Sequence, residues 1–257
     1  MSLQLSSESN DCEWAWLLII TNSFLGGIAP HLQSLNLRDI PFLTPQKLLL
    51  SATDLVTLHR EHIPSTRYIL PKELVTCLSM LTKLEELAFG FQASRCGPFY
   101  LDQTSQHLPL VPSTVLPALT SFQFWGDCWY LEDFITQISL PLLHNLNIMY
   151  FNLGWQIVDS PPLCKFVNCI ETLEMHHCAD ISFHQDFVNI MLSQQEGLAN
   201  CRKIKFGILC STLGLQLSHL RWLGNLSLLS LPTLEHFYIY DHDSFPLDCR
   251  QFSTEGH

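Results

Sequence analysis

Apolar residues along this chain return to one spacing: a leucine, an apolar residue three positions later, and another two positions after that. Four copies carry a proline two residues ahead of the first leucine. They are Pro30 to Leu37, Pro117 to Phe124, Pro141 to Ile148 and Pro232 to Ile239. The triplet recurs without the proline as Leu84, Leu87, Phe89, as Ile170, Leu173, Met175 and as Cys201, Ile204, Phe206. A reduced copy has Leu55 and Leu58, with Arg60 at the third position. Apolar residues two apart line one face of an extended strand. Strands are therefore predicted near residues 35–37, 87–89, 122–124, 146–148, 173–175, 204–206 and 237–239. The first leucine fills the same interior from the preceding turn. The proline cannot donate to a ladder, so it stands where the strand begins. After the strands the period lengthens toward that of a helix. Pro71 to Leu81 places Leu74, Val75, Leu78 and Leu81 on one face, behind a proline and an acid. Tyr130 to Ile138 does the same with Leu131, Phe134, Ile135 and Ile138, and Gln185 to Leu192 with Phe187, Val188, Met191 and Leu192.

The bare triplet says little, because at 47% apolar residues about one window in ten shows it by chance. The fixed proline says more, since proline is only 14 of 257 residues. The triplets begin at 32, 55, 84, 119, 143, 170, 201 and 234, in steps of 23, 29, 35, 24, 27, 31 and 33 residues. A unit of about 20–29 residues, strand then turn then helix, is the signature of a leucine-rich repeat, and the longer steps carry insertions. Such a unit cannot bury its apolar face alone, so copies must stack. The expected fold is α/β, a leucine-rich-repeat-like solenoid of about eight repeats with a curved parallel sheet backed by helices and loops. Residues 1–13 are polar and acidic and are expected to be a disordered N-terminus. The solenoid is expected over 14–241, with 92–115 a long loop insertion carrying Pro98, Pro109 and Pro112. Residues 242–257 are expected to be a flexible tail.

Solenoids mostly bind other molecules, and charge narrows the choice. Thirteen basic against 24 acidic residues give a net charge of −11. That weighs against nucleic acid and against an anionic membrane, and it leans toward a basic protein surface. Trp14 to Ile20 is an apolar run, but a bilayer needs about 20 such residues. No positive flank precedes it and no small-residue cleavage pattern follows, so it reads as a strand and not as a leader. Ten cysteines are scattered with no Cys-x-x-Cys pair, which suggests neither a zinc ribbon nor a redox motif. They read as small buried hydrophobes of a reducing compartment. The expected location is cytoplasmic or nuclear, not secreted.

Candidate chemistry is sparse. His176, His177 and Cys178 with His184 form the best metal-like cluster. Adjacent residues on a strand end point in alternating directions, however, and cannot all reach one ion. The repeat pattern places Cys178 inward and His176 outward. No cysteine carries a nucleophile signature, no phosphate-cradling glycine loop occurs, and a hydrolase elbow of the type Gly-x-Ser-x-Gly is lacking. The acid pairs Glu85-Glu86 and Glu132-Asp133 diverge on a strand and form a solvated edge on a helix. No catalytic, cofactor-binding or metal residue is expected. What remains is the face opposite the inward strand positions, where Trp125, Met149, His176, Tyr238 and Tyr240 are the candidate protein-binding residues. Aromatic and soft apolar side chains of this kind are common anchors of protein interfaces.

Several longer phrases carry a resemblance. Ser23 to Gly27 with Ala29 to Leu35, Pro45 to Leu55, Leu81 to Gln92, Val115 to Phe124 and Leu231 to Ile239 resemble basidiomycete F-box proteins with a leucine-rich-repeat-like C-terminal region. Ile170 to Ile181 resembles the cysteine-containing repeat of F-box proteins, with Cys178 at the family's turn position. The resemblance covers roughly residues 20–241. It implies the substrate-recognition part of an F-box ubiquitin-ligase subunit, with an unknown protein as substrate. The family's helical F-box, which docks the adaptor of a cullin–RING ligase, does not read out of this chain. Adaptor docking is therefore implied only where an F-box is restored upstream, and the other expectation is a remnant repeat protein without a ligase role.

Overall fold

The computed structural model describes residues 1–6, 28–40, 46–63, 69–92, 114–151, 161–170, 178–183, 187–193, 203–209 and 235–241. The chain divides into two compact units, Met1–Leu143 and His144–His257. Both are α/β with few helices among the described residues, and the strand pairing of the chain is mostly parallel.

In the first unit five strands run in parallel, β1 (Ser2–Ser6), β2 (Ser34–Arg38), β3 (Thr57–Ile63), β4 (Glu86–Phe91) and β6 (Ser121–Gly126), each beside its predecessor. Helices α1 (Gln46–Ser51), α2 (Pro71–Leu78) and α3 (Cys128–Ile135) lie between or after them, and β5 (Thr114–Val115) pairs with β7 (Ile138–Ser139). One hydrogen-bonding device sets every step. The carbonyl just before a strand accepts two successive N–H groups from the start of the next. Gln33 accepts from Val56 (2.8 Å) and Thr57 (3.0 Å), Val56 from Glu85 (2.8 Å) and Glu86 (3.0 Å), and Glu85 from Thr120 (2.9 Å) and Ser121 (3.0 Å). The Met1 carbonyl does the same for Gln33 (2.9 Å) and Ser34 (3.4 Å).

The proline of the repeated phrase finds its reason here. The N–H of the first leucine donates to the carbonyl three residues back, Leu32 to Ala29 (3.1 Å), Leu119 to Leu116 (3.4 Å) and Leu143 to Leu140 (3.3 Å). Pro30, Pro117 and Pro141 occupy the second position of that turn, where a φ near −60° is needed and proline supplies it. Thr53 and Thr82 take the same place in the turns closed by Leu55 (3.0 Å) and Leu84 (3.1 Å).

Register then aligns the apolar positions. Leu35, Leu58, Leu87 and Phe122 stand opposite one another, as do Leu37, Arg60, Phe89 and Phe124. All are buried, together with Leu32, Leu55, Leu84 and Leu119 from the turns. On the other layer α2 buries Leu74, Val75, Cys77 and Leu78, and α3 buries Tyr130, Leu131, Phe134 and Ile135. At about 2 kcal/mol per buried large apolar side chain, these ladders are the main source of the unit's stability.

Two expectations about this unit are corrected. Ser2–Ser6 is a strand, not part of a disordered arm. Leu3 and Leu5 alternate with Ser2, Gln4 and Ser6 and pair in register with β2. The acids that follow had masked so short an alternation. Thr114–Val115 belongs to a strand pair and Gln92 is tied to Ile63 (2.8 Å), so the ends of the expected 92–115 loop are ordered; 93–113 lies outside the described residues.

The second unit holds β8 (Asn145–Phe151), α4 (Pro161–Asn168), β9 (Cys178–Phe183), β10 (Phe187–Ser193), β11 (Lys203–Leu209) and β12 (His236–Asp241). Its strands order as β8, β11, β10, β9, β12. β8 with β11 and β9 with β12 are parallel, whereas β10 is antiparallel to both neighbours. The uniformly parallel sheet expected from the repeats therefore holds in the first unit and not in the second. The helix expected over Gln185 to Leu192 is strand β10. Its apolar positions fit a helical face, but Val188, Ile190 and Leu192 also alternate, and β-branched residues favour the extended choice. Leu146, Ile148, Ile190, Leu192 and Ile204 are buried as a common face. Phe237, expected inward, stands 45% exposed on β12. The strands expected at 14–20 and 173–175 lie outside the described residues.

Candidate functional site

The first unit presents the face opposite its apolar ladders as three rows. Ser34, Thr57, Glu86 and Ser121 form the first, and Asn36, His59, Ala88 and Gln123 the second. In the third, Arg38 stands opposite Glu61, and Gly90 opposite Trp125. Trp125 is half-buried, and Gly90 is the reason. A Cβ on Gly90 would stand 3.1 Å from Trp125 Cε3 and 3.6 Å from the Glu61 Cα. The indole rests on the backbone of β4, with Glu61 on the far side. A glycine inside an otherwise apolar strand marks such a close approach, and Leu-Ala-Phe-Gly-Phe at 87–91 was the signal that could have found it.

Charged groups border this rest. Arg38 Nε lies 3.8 Å from both Asp39 Oδ2 and Glu61 Oε2. His62 Nδ1 lies 3.0 Å from Asp39 Oδ1, and His59 Nε2 lies 3.6 Å from Glu86 Oε2. Asp39 (φ 58°) and His62 (φ 56°) both adopt left-handed backbone, just past equivalent points of β2 and β3. Aspartate and histidine are among the few non-glycine residues enriched in that conformation. The register of β3 on β4 shifts between Arg60 and Ile63, so His62 sits in a bulge that turns its side chain toward Asp39. No apolar period announces such a bulge.

Beneath the rows lies Arg60, in a ladder position that leucine or phenylalanine fills elsewhere. It is 1% exposed, with its guanidinium carbon 5.4 Å from the centre of the Phe89 ring. Phe91 packs edge-on against Tyr130 at 4.7 Å, and Phe124 stacks on Tyr130 at 6.1 Å. Burial pushes the guanidinium down to about 10, and Tyr130 acts in the opposite direction. A buried cation is held in an aromatic surround by its ring contacts and by the length of its apolar stem.

In the second unit the corresponding rows are Asn147, Lys205, Met191, Asp180, Tyr238 and Met149, Gly207, Asn189, Ser182, Tyr240. Met149 and Tyr240 share a row but stand four strands apart, about 19 Å at the usual strand spacing. They are not neighbours. Tyr238 is half-buried and stacks on His236 at 6.2 Å. Asn189 Nδ2 donates to Ser182 Oγ at 3.5 Å. Cys178 is buried at the start of β9. His176 lies outside the described residues. Trp125 belongs to one unit and Met149, Tyr238 and Tyr240 to the other.

Among the described residues no group of three or more His, Cys, Asp or Glu is placed to hold a metal ion. No described helix is long and apolar enough to cross a membrane. No family model, no curated protein and no solved structure matches this chain.

Proposed function

We propose that the chain is a non-enzymatic protein-interaction module of the leucine-rich-repeat solenoid type, akin to the substrate-recognition part of an F-box ubiquitin-ligase subunit. Its partner is a protein that docks on the outward rows of the first unit, with Trp125 as anchor. The observation that carries this reading is the half-buried indole seated over Gly90 on the polar face of five consecutive parallel strands. A rigid aromatic anchor on a supported surface is the usual centre of a binding hot spot. Adaptor docking to a cullin–RING ligase belongs to this reading only with an F-box upstream. The working compartment is cytoplasmic or nuclear.

The test is affinity capture from cells that express the protein, with wild type, Trp125→Ala, Tyr238→Ala and the double variant as baits of equal thermal stability. Loss of the same partners with Trp125→Ala is the expected result. Equal recovery by all baits removes the outward face from the account. If even wild type recovers nothing above background, a remnant without a ligase role becomes the better reading.

A further inference from the structure

Strand β1 stands at one edge of the first unit's sheet, where its pairing partner among the described residues is β2. The Met1 carbonyl bonds toward β2. In a parallel ladder alternate residues follow suit, so Leu3 and Leu5 bond toward β2 as well. The N–H and C=O groups of Ser2, Gln4 and Ser6 therefore point the other way, along the sheet's edge. The apolar ladder is open at the same place. Leu3 and Leu5 are half-buried, whereas Leu35 and Leu37 opposite them are 0% and 1% exposed. Proteins usually blunt such an edge with a lysine, a proline or a bulge. Ser-Leu-Gln-Leu-Ser at 2–6 has none of these, and its register on β2 is unbroken. In a chain of net charge −11 this strand carries no charge at all.

The strand also reads the same in both directions about Gln4. That symmetry is what a strand needs in order to pair with itself. About a two-fold axis at Gln4, Ser2 meets the second copy's Ser6, Leu3 meets its Leu5, and Gln4 meets its Gln4. The residues whose backbone groups point outward then fall in the hydrogen-bonded pairs. The leucines fall in the closer, non-hydrogen-bonded pairs and extend the ladder on its own face. The row through the axis runs Asn36, Gln4 and then Gln4 and Asn36 of the second copy, amides throughout. Arg38 lies in a row whose next members are Ser6 and then the second copy's Ser2 and Ser34, so no like charges meet. We propose that β1 pairs antiparallel with β1 of a second copy of this chain, continuing the first unit's sheet across a two-fold axis. This goes beyond the docking function proposed above and uses a different surface, because β6, which carries Trp125, is four strands away.

Pairing along so short an edge is small beside a standard interface, so the dimer is a weak one. The test is sedimentation of the whole chain in reducing buffer, over about 1 µM to 1 mM, the span of weak association. The average mass should rise from that of one chain toward that of two. Gln4→Pro removes an outward N–H and spares the bonds to β2, so it should abolish the rise and leave Tm unchanged. Gln4→Glu and Gln4→Lys each set like charges opposite one another and should weaken association by roughly 3–10-fold. An equal mixture of those two variants should restore it. Should Gln4→Pro disturb the strand itself, the charge pair still decides. Wild type that stays a monomer throughout overturns the proposal, and the edge then belongs to another segment of the chain, such as residues 14–20, or to a different partner. Dimers that ignore every substitution at Gln4, or folded Glu and Lys variants that do not recover on mixing, overturn it equally.

Discussion

The least tolerant position of the first unit is a glycine. Gly126 closes the inward ladder of β6, and a Cβ there would meet Phe91 Cδ2 at 2.7 Å and Phe124 Cζ at 2.9 Å. Both rings belong to the cluster around Tyr130 and have little room to move. Gly126→Ala should cost about 1–3 kcal/mol in urea unfolding, as overpacking of a core does. Gly90→Ala meets only the edge of the half-buried Trp125, so it should cost less and should alter the Trp125 signal instead. The thiols offer a second check at this scale. Burial, with Glu73 nearby, raises the Cys77 thiol above its ordinary value, and thiolate is the reactive form. Cys77 and Cys178 are buried and Cys169 is exposed. Of these three thiols, iodoacetamide at pH 8 should label Cys169 first in the native chain and reach Cys77 and Cys178 only on unfolding; equal rates for the three by mass spectrometry would contradict the burial described. A third check uses Asp54, which accepts from Lys83 Nζ at 2.7 Å and lies 3.3 Å from His31 Nδ1. Lys83 first and His31 second hold its carboxyl below its ordinary 3.8. The stability this gives is present above the ordinary value and is lost as pH falls through the depressed one. The Tm advantage of wild type over Asp54→Asn should therefore be present at pH 7 and shrink only as pH falls below the ordinary carboxylate value of 3.8.

At the scale of elements, the strands that could be read beforehand were those where alternation and the preceding leucine agree. β2, β4, β6, β8, β11 and β12 fall on the predicted positions; before β2, β4, β6 and β8 the phrase fixes both the turn and the inward face that follows, whereas on β12 it placed the strand but not the face, since Phe237 is exposed. Leu146 and Asn147 on β8 make the alternation measurable. Leu146 is buried and should cost about 2–5 kcal/mol when cut to alanine. Asn147 faces the other way, and its Oδ1 has no hydrogen-bond partner among the described residues, so Asn147→Ala should stay within about 0.5 kcal/mol. Similar losses on chemical denaturation would mean the faces are reversed. β10 was misread because a segment with Phe187, Val188, Met191 and Leu192 satisfies a helix as well as a strand. Pairing partners on β9 and β11 decide it, and these are not local in sequence. Candidate-site residues were legible only as far as facing. Alternation put Trp125 on the outward side. It could not show that Gly90 makes its seat, that Glu61 lies across from it, or that a bulge at His62 draws the Asp39 pair together. Arg60 was visible as a break in the pattern, but its burial against Phe89 depends on three strands in register.

At the scale of the whole chain, net charge sets what can approach. A surplus of eleven acids over bases repels the phosphate backbone, whose binding to proteins is driven by release of counterions from basic contacts. Added RNA should therefore leave capture of a protein partner unaffected. A protein partner with a basic docking surface is drawn by the same field, and such attraction acts mainly on the rate of encounter. Raising salt from about 0.05 M to 0.5 M shortens the screening length from roughly 14 Å to 4 Å. Association should slow severalfold over that range, while dissociation, governed by the packed indole, changes much less. Surface-immobilised chain and purified partner in stopped-flow or biosensor measurements separate the two rates. A salt effect confined to dissociation, or RNA that competes for the same face, would mean that the acidic field and the Trp125 seat do not act on one partner.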